Sequence, residues 1–339
     1  RCPIRAEVGL LRELVATPSP SGSEAAAAAV AVRFAETWGL HPVVADHSVS
    51  VVVAGRAPGP ALAFLSHLDT VPPGEGWSRD PHGAEIVDGR LYGRGSSDAK
   101  GPVAAMLAAA ADLAASGGPA RGSLTVLLGF SEETRETTME RAVTATGPFA
   151  AAVVGEPTGL DFATAQRGLL VCELRARGVP HHAGHDGPES AITALARDLA
   201  ALPGMLVGRS HPALGDPRIT PTRIGSEGPA NATPAEASAR LDIRTTPAWA
   251  NEELLAELRS RVNGELRVVS DRLAPCATPA GSRLLAAARK AAPGGAEYGS
   301  PTCSDWVFVR DIDALKCGPG DSRLSHGPDE SIDLGEFSR

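Results

Sequence analysis

The sequence predicts an α/β protein: a mixed, largely parallel sheet with helices packed on it, into which a smaller α+β unit is inserted. Three observations predict it. Short apolar runs alternate with helix-period segments as far as about residue 168. Polar, chemistry-bearing residues follow the ends of those runs. Beyond Gly168 the pattern changes to half-exposed strands paired with helices, and an alanine-rich helical stretch returns at Ser282.

Taken in order, Val8, Leu10, Leu11, Leu14 and Val15 recur at helical spacing over residues 7–17, and Pro18-Ser19-Pro20-Ser21-Gly22 ends that helix. Ser23 opens a second helix that runs through alanines and valines to Trp38, with Gly39 as its C-terminal cap. Val51–Val53, Ala61–Leu65, Leu124–Phe130 and Ala151–Val154 are short, apolar and turn-bounded, as buried strands are. Pro102 to Ser116 is a helix with proline in its first turn. The inserted unit follows. Leu169–Ala176 alternates like a half-exposed strand, Pro188–Leu202 is helical, Arg218–Ile224 and Ala237–Ile243 are strands, and Glu252–Val262 is a helix. Ser282–Ala291 returns to the first pattern. The domain expectation is therefore 1–169 and 280–339 for one domain, with 170–279 inserted in it.

At 339 residues the chain exceeds one ordinary core, which agrees with two domains. The net charge of −8 argues against a nucleic-acid binder, which carries a basic face. No apolar run approaches the roughly 20 residues that span a bilayer; Ala104–Ala115 is short and carries Asp112. Arg1-Cys2-Pro3-Ile4-Arg5 lacks the apolar core of a signal peptide and an initiator methionine, so a trimmed or mature chain is expected. Cys2, Cys172, Cys276, Cys303 and Cys317 form no C-x-x-C pair, which suggests reduced thiols in a cytoplasmic setting. Cys303 is expected to be a buried, inert thiol.

The chemistry is carried by polar breaks. Ser66-His67-Leu68-Asp69-Thr70 follows one strand, Ser131-Glu132-Glu133 a second and Gly155-Glu156 a third. Ligands in open α/β sheets belong at such carboxyl ends. Asp98 stands in the glycine-rich stretch Gly93–Gly101, and His326 near the C-terminus. Two histidines and several carboxylates are a donor mix that zinc accepts, in number enough for two ions sharing one carboxylate. Each residue has an ordinary alternative. His67 alone reads as a core histidine, Asp98 as turn chemistry, and the Glu pair as solvated acids at a helix start. Asp69 changes the weighing, because alternate residues of an extended segment face one way and a carboxylate on the second imidazole nitrogen fixes the tautomer. Of Glu132 and Glu133, one can bind metal while the other moves a proton.

Assembled, these residues resemble the dinuclear-zinc aminoacylase and exopeptidase family, which includes acetylornithine deacetylase, succinyl-diaminopimelate desuccinylase, carboxypeptidase G-type enzymes and aminoacylase-1. The resemblance runs from about Leu10 to Glu336. It rests on eight ordered motifs: His-x-Asp-Thr-Val-Pro at 67–72, Gly-Arg-Gly-x-x-Asp-x-Lys-Gly at 93–101, Glu-Glu at 132–133, Gly-Glu-Pro-Thr at 155–158, Gly-x-x-x-His at 178–182, Asn-x-x-Pro at 231–234, Thr-x-Ser-Asp at 302–305, and Gly-Pro-Gly leading to His-x-x-x-Glu at 318–330. It implies a zinc-exopeptidase-like catalytic domain whose insert is a lid and dimerisation domain.

The resemblance also implies roles. His67, Asp98 and Glu156 hold one ion, and Glu133, His326 and the bridging Asp98 hold the other, with a cis peptide after Asp98. The ions are zinc, with cobalt or manganese as alternatives. Asp69 orients His67, and Glu132 is the general base. His182 reaches the active site of the partner in a homodimer and stabilises the oxyanion. Arg244, Asn231, Arg167, Thr302 and Ser304 contact substrate, Arg244 as a guanidinium fork for a carboxylate. Three features depart from the match or blur it. Ser131 stands where an Asp is common, with little consequence expected for metal binding. His181 and His185 crowd His182. Trp306 reads either as pocket lining or as packing.

The activity implied is hydrolysis of a small N-acyl amino acid, nearest to N-acetylornithine deacylation on the stretches 299–305 and 316–326. The runner-up is release of lysine, ornithine or a related amino acid from an acidic amino-group carrier protein, which calls for a basic rim. A dipeptidase or carboxypeptidase is third. A non-catalytic binding protein on this scaffold is marked by loss of a ligand or of the base, and none is lost.

Overall fold

The computed structural model describes residues 4–134, 137–206 and 208–339; the N-terminal Arg1-Cys2-Pro3 lies outside them. The chain forms two compact units. The first comprises Arg1–Thr164, Thr278–Glu297 and Ser304–Arg339, the second Ala165–Ala277 and Tyr298–Cys303.

In the first unit, helix Ile4–Ala16 turns Leu10, Leu11, Leu14 and Val15 inward, the residues that carry its period. Helix Ala25–Thr37 buries Ala27, Val30, Ala31 and Ala35. It closes at Gly39, whose φ of 73° and N–H bond to Glu36 O make the left-handed cap expected there. The main sheet runs in the order Pro42–Ala45, Ser48–Ala54, Ser123–Gly129, Ala61–His67, Ala151–Val154, Asp313–Lys316, Phe162–Gln166. Its four central strands are parallel, and its flanks are antiparallel. The first two strands are joined by Asp46-His47, both at positive φ (48° and 57°). Such a two-residue loop suits a tight hairpin and permits only antiparallel pairing. The helix Lys100–Ala115, lying between Ala61–His67 and Ser123–Gly129 in the chain, provides the crossover that parallel neighbours require. It buries Val103, Leu107, Ala110 and Ala111.

Register positions the chemistry. His67 lies opposite Gly129, Leu65 opposite Val154, and Val154 opposite Lys316, so four carboxyl ends meet on one edge. A small sheet of Ser331–Asp333, Arg90–Tyr92 and Ile86–Val87 pairs Ser331 with Tyr92. That pairing carries Glu330 to the glycine-rich turn that ends at Asp98.

The second unit is α+β. Its antiparallel sheet runs Arg218–Ser226, Glu236–Thr245, Gly168–Arg177, Glu265–Leu273. Helices Ala191–Ala201 and Asn251–Arg261 cover one face, and Leu170, Leu174, Leu195, Leu241, Ile243, Leu254 and Leu258 form the core between. Strand Glu265–Leu273 is absent from the sequence reading, because its charged and polar residues leave no apolar run longer than Val268-Val269. Among the described residues no helix is long and apolar enough to cross a membrane.

Candidate metal centre and active site

Strand Ala61–His67 delivers His67 at its last position, nearly inaccessible to solvent. Its Nδ1 is 3.0 Å from the Asp69 carbonyl and 3.3 Å from Asp69 Oδ1, while Nε2 is 3.3 Å from Asp98 Oδ1. A hydrogen on Nδ1 directed at Asp69 leaves the Nε2 lone pair facing Asp98, the tautomer a metal ligand needs. Asp69 does more than orient the ring. Its Oδ1 accepts from Glu132 N (3.0 Å), and its Oδ2 accepts from Glu133 N (3.0 Å) and Ser21 Oγ (2.7 Å). One buried carboxylate thus fixes both the first histidine and the backbone of the Glu pair.

Asp98 lies between two histidines. Its Oδ1 faces His67 Nε2, and its Oδ2 stands 3.7 Å from His326 Nε2. His326 Nε2 is also 2.9 Å from Glu133 Oε1. Donor atoms of His67, Asp98 and Glu133 all lie within 4.8 Å of one another, a spacing one cation can bridge. Glu156, two residues past its strand, feels the charges of both Asp98 and His67. The Asp98–Ala99 peptide is cis, as the resemblance implies.

The electrostatics match that crowding. Burial pushes Glu132 well above the carboxylate range; His67 opposes this, while Asp305, Glu156 and Glu133 reinforce it. Burial and Asp98 lift Glu156 to about 8 against the pull of Lys316 and His67. Burial opposes ionisation of Asp69, but the bonds from His67, Ser21 and Glu133 N–H prevail and hold it at about 2. For His67, burial disfavours the imidazolium, yet Asp69, Asp98 and the Glu132 charge carry its pKa well above the usual value. The hydrogen bond to Glu133 raises His326. Two carboxyls driven upward beside a histidine–carboxylate cluster are an excess of negative charge that a dication relieves. Both the donor chemistry and the charge therefore fit divalent metal.

The model of "Peptidase family M20/M25/M40" matches residues 63–339, the span that contains His67, Asp69, Asp98, Glu132, Glu133, Glu156 and His326. The chain belongs to this family. Its members are hydrolases of amide bonds, and this M20 chain is one of them. It is 37% identical to a succinyl-diaminopimelate desuccinylase of Rhodospirillum centenum over 59% of this chain, a match spanning only 56% of that protein. It is 34% identical to the desuccinylase of Acidiphilium cryptum over 75% of this chain and 70% of the other. The aminopeptidase PepT of Bacillus cereus shares the fold with a TM-score of 0.79, covering 99% of this chain and 95% of that one at 19% identity.

The remaining sequence-derived candidates of the M20 chain have their own surroundings. In the second unit His182 is exposed and forms a bridge with Ala232, while Ala183 N donates to Asn231 O, so His182 and Asn231 are neighbours. His185 lies against the His182 ring at 5.3 Å. His181 bonds to Thr233. Arg167 differs from the free carboxylate grip expected of it. Its guanidinium donates to the main-chain carbonyls of Asp216 (2.8 Å), Arg244 (3.3 Å) and Leu214, because the turn around 214–216 closes over it. Arg244 is half-exposed and forks onto Asp242 at 2.8 and 3.2 Å. Cys303 is half-buried, not buried; its thiol donates to Arg167 O beside the Arg244 guanidinium. Thr302 Oγ1 lies 3.1 Å from Ser300 Oγ.

In the first unit Ser304 is buried, and its Oγ accepts from Trp306 N at the start of a 3₁₀ turn. Trp306 itself is 0% exposed, which makes it packing. Four functional-looking residues were missed. Asp305 is buried and presses electrostatically on Glu132 and Glu156. Ser21, Glu24 and Glu330 bond to the ligand-bearing loops. Asp305 and Glu330 close two of the motifs, which was the available signal; Ser21 and Glu24 sit in a stretch that looks only like a turn.

Proposed function

We propose that the chain removes the acyl group from an N-acyl amino acid by hydrolysis of its amide, using two divalent ions. His67, Asp98 and Glu156 would hold one, and Glu133, His326 and Asp98 the other, with zinc as the first choice and cobalt or manganese as alternatives. One observation carries this reading: the two oxygens of Asp98 face two different histidines, as a bridging carboxylate must. When bound, the ions supply a more acidic water and an electrophile for the amide carbonyl.

The side chains do the rest. Asp69 keeps the His67 ring in its ligating tautomer and holds the backbone of Glu132 and Glu133. Glu132 takes the proton of the attacking water and returns it to the departing amine. Its burial weakens it as an acid, which suits a group that must both accept and release a proton near neutral pH. His182 is assigned to the oxyanion, contributed across a homodimer. Arg244 leads the substrate contacts, supported by Asn231, Thr302 and Ser304. Arg167, committed to three carbonyls, shapes the turn beside Arg244.

For the acyl group, the named relatives favour succinyl. The stretches 299–305 and 316–326 favour acetylornithine, and this is the second reading. Amino-acid biosynthesis in the cytoplasm is the setting proposed with either. The test is amine release by the zinc-loaded protein from N-succinyl-diaminopimelate, N-acetylornithine, N-acetyllysine, simple dipeptides and an amino acid linked to an acidic carrier protein. Turnover that disappears in Glu132→Gln with metal content unchanged is the expected result. Full activity in Glu132→Gln with metal bound would sink the mechanism, and release from the carrier protein alone would replace the substrate reading.

A further inference from the structure

The segment Pro18–Glu24 reads from sequence as a helix break, yet its polar side chains converge on one place. Ser19 Oγ donates to Leu68 O (2.8 Å), and Thr70 N donates to Ser19 O (2.9 Å). Ser21 Oγ donates to Asp69 Oδ2 (2.7 Å). Glu24 stands at the start of helix Ala25–Thr37 but makes no side-chain cap bond. It is 3% exposed, and its Oε1 accepts instead from Gly22 N (2.7 Å), Ser131 N (3.0 Å) and Ser131 Oγ (3.3 Å).

Ser131 is where the chain turns from strand Ser123–Gly129 toward the Glu pair. Its φ is 58°, in the left-handed region that a residue with a Cβ enters only when something holds it there. Glu24 supplies that hold on both the amide and the hydroxyl. The next two amides, of Glu132 and Glu133, end on Asp69. Three consecutive N–H groups therefore finish on carboxylate oxygens, and Ser21 steadies the carboxylate that serves two of them. The hydrogen bonds of Glu24 end at Ser131, beside the Glu pair, and at Gly22, beside the Ser21 that bonds Asp69.

We propose that the Ser19–Glu24 turn is a positioning brace for the Glu132–Glu133 loop, with Glu24 acting through Ser131, a role that rests on the base function proposed for Glu132. An acceptor at Glu24 matched to the Ser131 amide and hydroxyl is the essential relation. Glu24→Ala removes the acceptor. Glu24→Gln keeps an amide oxygen that can accept from Gly22 N and Ser131 N. Glu24→Asp keeps the charge but withdraws the oxygen by one methylene.

The experiment uses the zinc-loaded full chain, N-succinyl-diaminopimelate and N-acetylornithine as probes, and amide hydrogen exchange over residues 131–134. Glu24→Ala is expected to lower kcat about 10–100-fold, the range for partners just outside metal ligands, with little change in KM. Exchange at 131–134 should quicken. Glu24→Gln, which keeps an acceptor, should retain most of the kcat and of the protection. Wild-type kcat and protection in Glu24→Ala would overturn the brace, as would a Glu24→Gln variant no better than Glu24→Ala. Should Glu24→Ala fail to fold, Glu24→Asp takes its place and is expected to show the same two losses. Should the wild type turn over neither probe, the hydrolase reading fails by itself, and the loss of protection in Glu24→Ala against its retention in Glu24→Gln still tests the brace.

Discussion

Glu330 holds the turn that presents Asp98. It is 0% exposed, and both oxygens are fully engaged. Oε2 accepts from Arg94 Nη1 (2.6 Å) and Gly95 N (3.0 Å); Oε1 accepts from Ser97 N (2.9 Å) and Asp98 N (3.0 Å). The turn that presents Asp98 is thus folded around one carboxylate. In Glu330→Gln one of these oxygens becomes an NH2 group facing two donors. Each buried donor so stranded costs about 1–3 kcal/mol, so a loss of roughly 2–6 kcal/mol is expected for the two. Glu330→Ala strands all four donors. Arg94, itself 1% exposed, keeps only its bonds to Pro73 O and His326 O. Breaking a buried pair in this way costs about 3–5 kcal/mol, a large share of the 5–15 kcal/mol that holds an ordinary domain. Urea unfolding of the metal-free Gln variant measures the first figure. Cobalt titration of the refolded variant measures the second consequence, a fall in metal affinity of about 10–100-fold as Asp98 loses its fixed position. A Gln variant within about 0.5 kcal/mol of wild type, the ordinary range of inconsequential surface changes, and with unchanged cobalt affinity, would refute the argument that this carboxylate organises the Asp98 turn.

Two further outcomes follow from the same geometry. Asp69→Asn turns one carboxylate oxygen into a donor that faces a donating N–H of Glu132 or Glu133, and it weakens the hold on His67 Nδ1; kcat should fall about 10–100-fold and more than one equivalent of zinc should be lost on dialysis, which metal analysis beside initial rates would check. In the metal-free protein Glu156 titrates near 8, against a model-compound value of 4.5, so between those values the folded chain binds the extra proton and its stability falls as pH rises. His67, raised in the folded state, adds a loss of the same sign on passing through its elevated pKa. Asp69, held at about 2, contributes stability that is present above 3.8 and is lost only in strong acid. Chelated protein should therefore melt lower at pH 8 than at pH 5, and zinc should remove most of that difference. A melting temperature of the chelated protein that climbs from pH 5 to pH 8 would contradict the assignment.

The parts of the site legible in the sequence are those that follow from local order. Strand ends are marked by the change from apolar runs to polar residues, so the sequence alone puts His67, the Glu pair and Glu156 on one edge. The parallel register then brings them together. Asp69 was legible only on one side. Its proximity to His67 is a matter of two residues, whereas its bonds to Glu132 and Glu133 span more than sixty and have no sequence signature. Glu330 to the Asp98 turn and Glu24 to Ser131 are likewise long-range bonds to backbone amides, which any residue type can donate.

Helix boundaries show the same division. Cap chemistry predicts that Ser23 opens the second helix, and the helix begins instead at Ala25. The carboxylate best placed to cap it, Glu24, is spent on Ser131. Basic residues make the point from the other direction. Among 32 of them only Lys100, Lys290 and Lys316 are lysines, and Lys100 and Lys316 are buried. Lys100 Nζ donates to the carbonyls of Leu14 and Thr17, tying the end of the first helix to the start of the helix that follows Asp98. Burial holds its pKa down to about 7, with Glu330 opposing. Its compact ammonium brings both bonds to one point, whereas a guanidinium spreads its donors over a planar fork, as Arg167 does on three carbonyls. In a chain that otherwise uses arginine almost throughout, two of the three lysines are buried and the third, Lys290, is exposed. At Lys100 the choice of side chain follows from the two carbonyls it must reach from the first turn of its own helix.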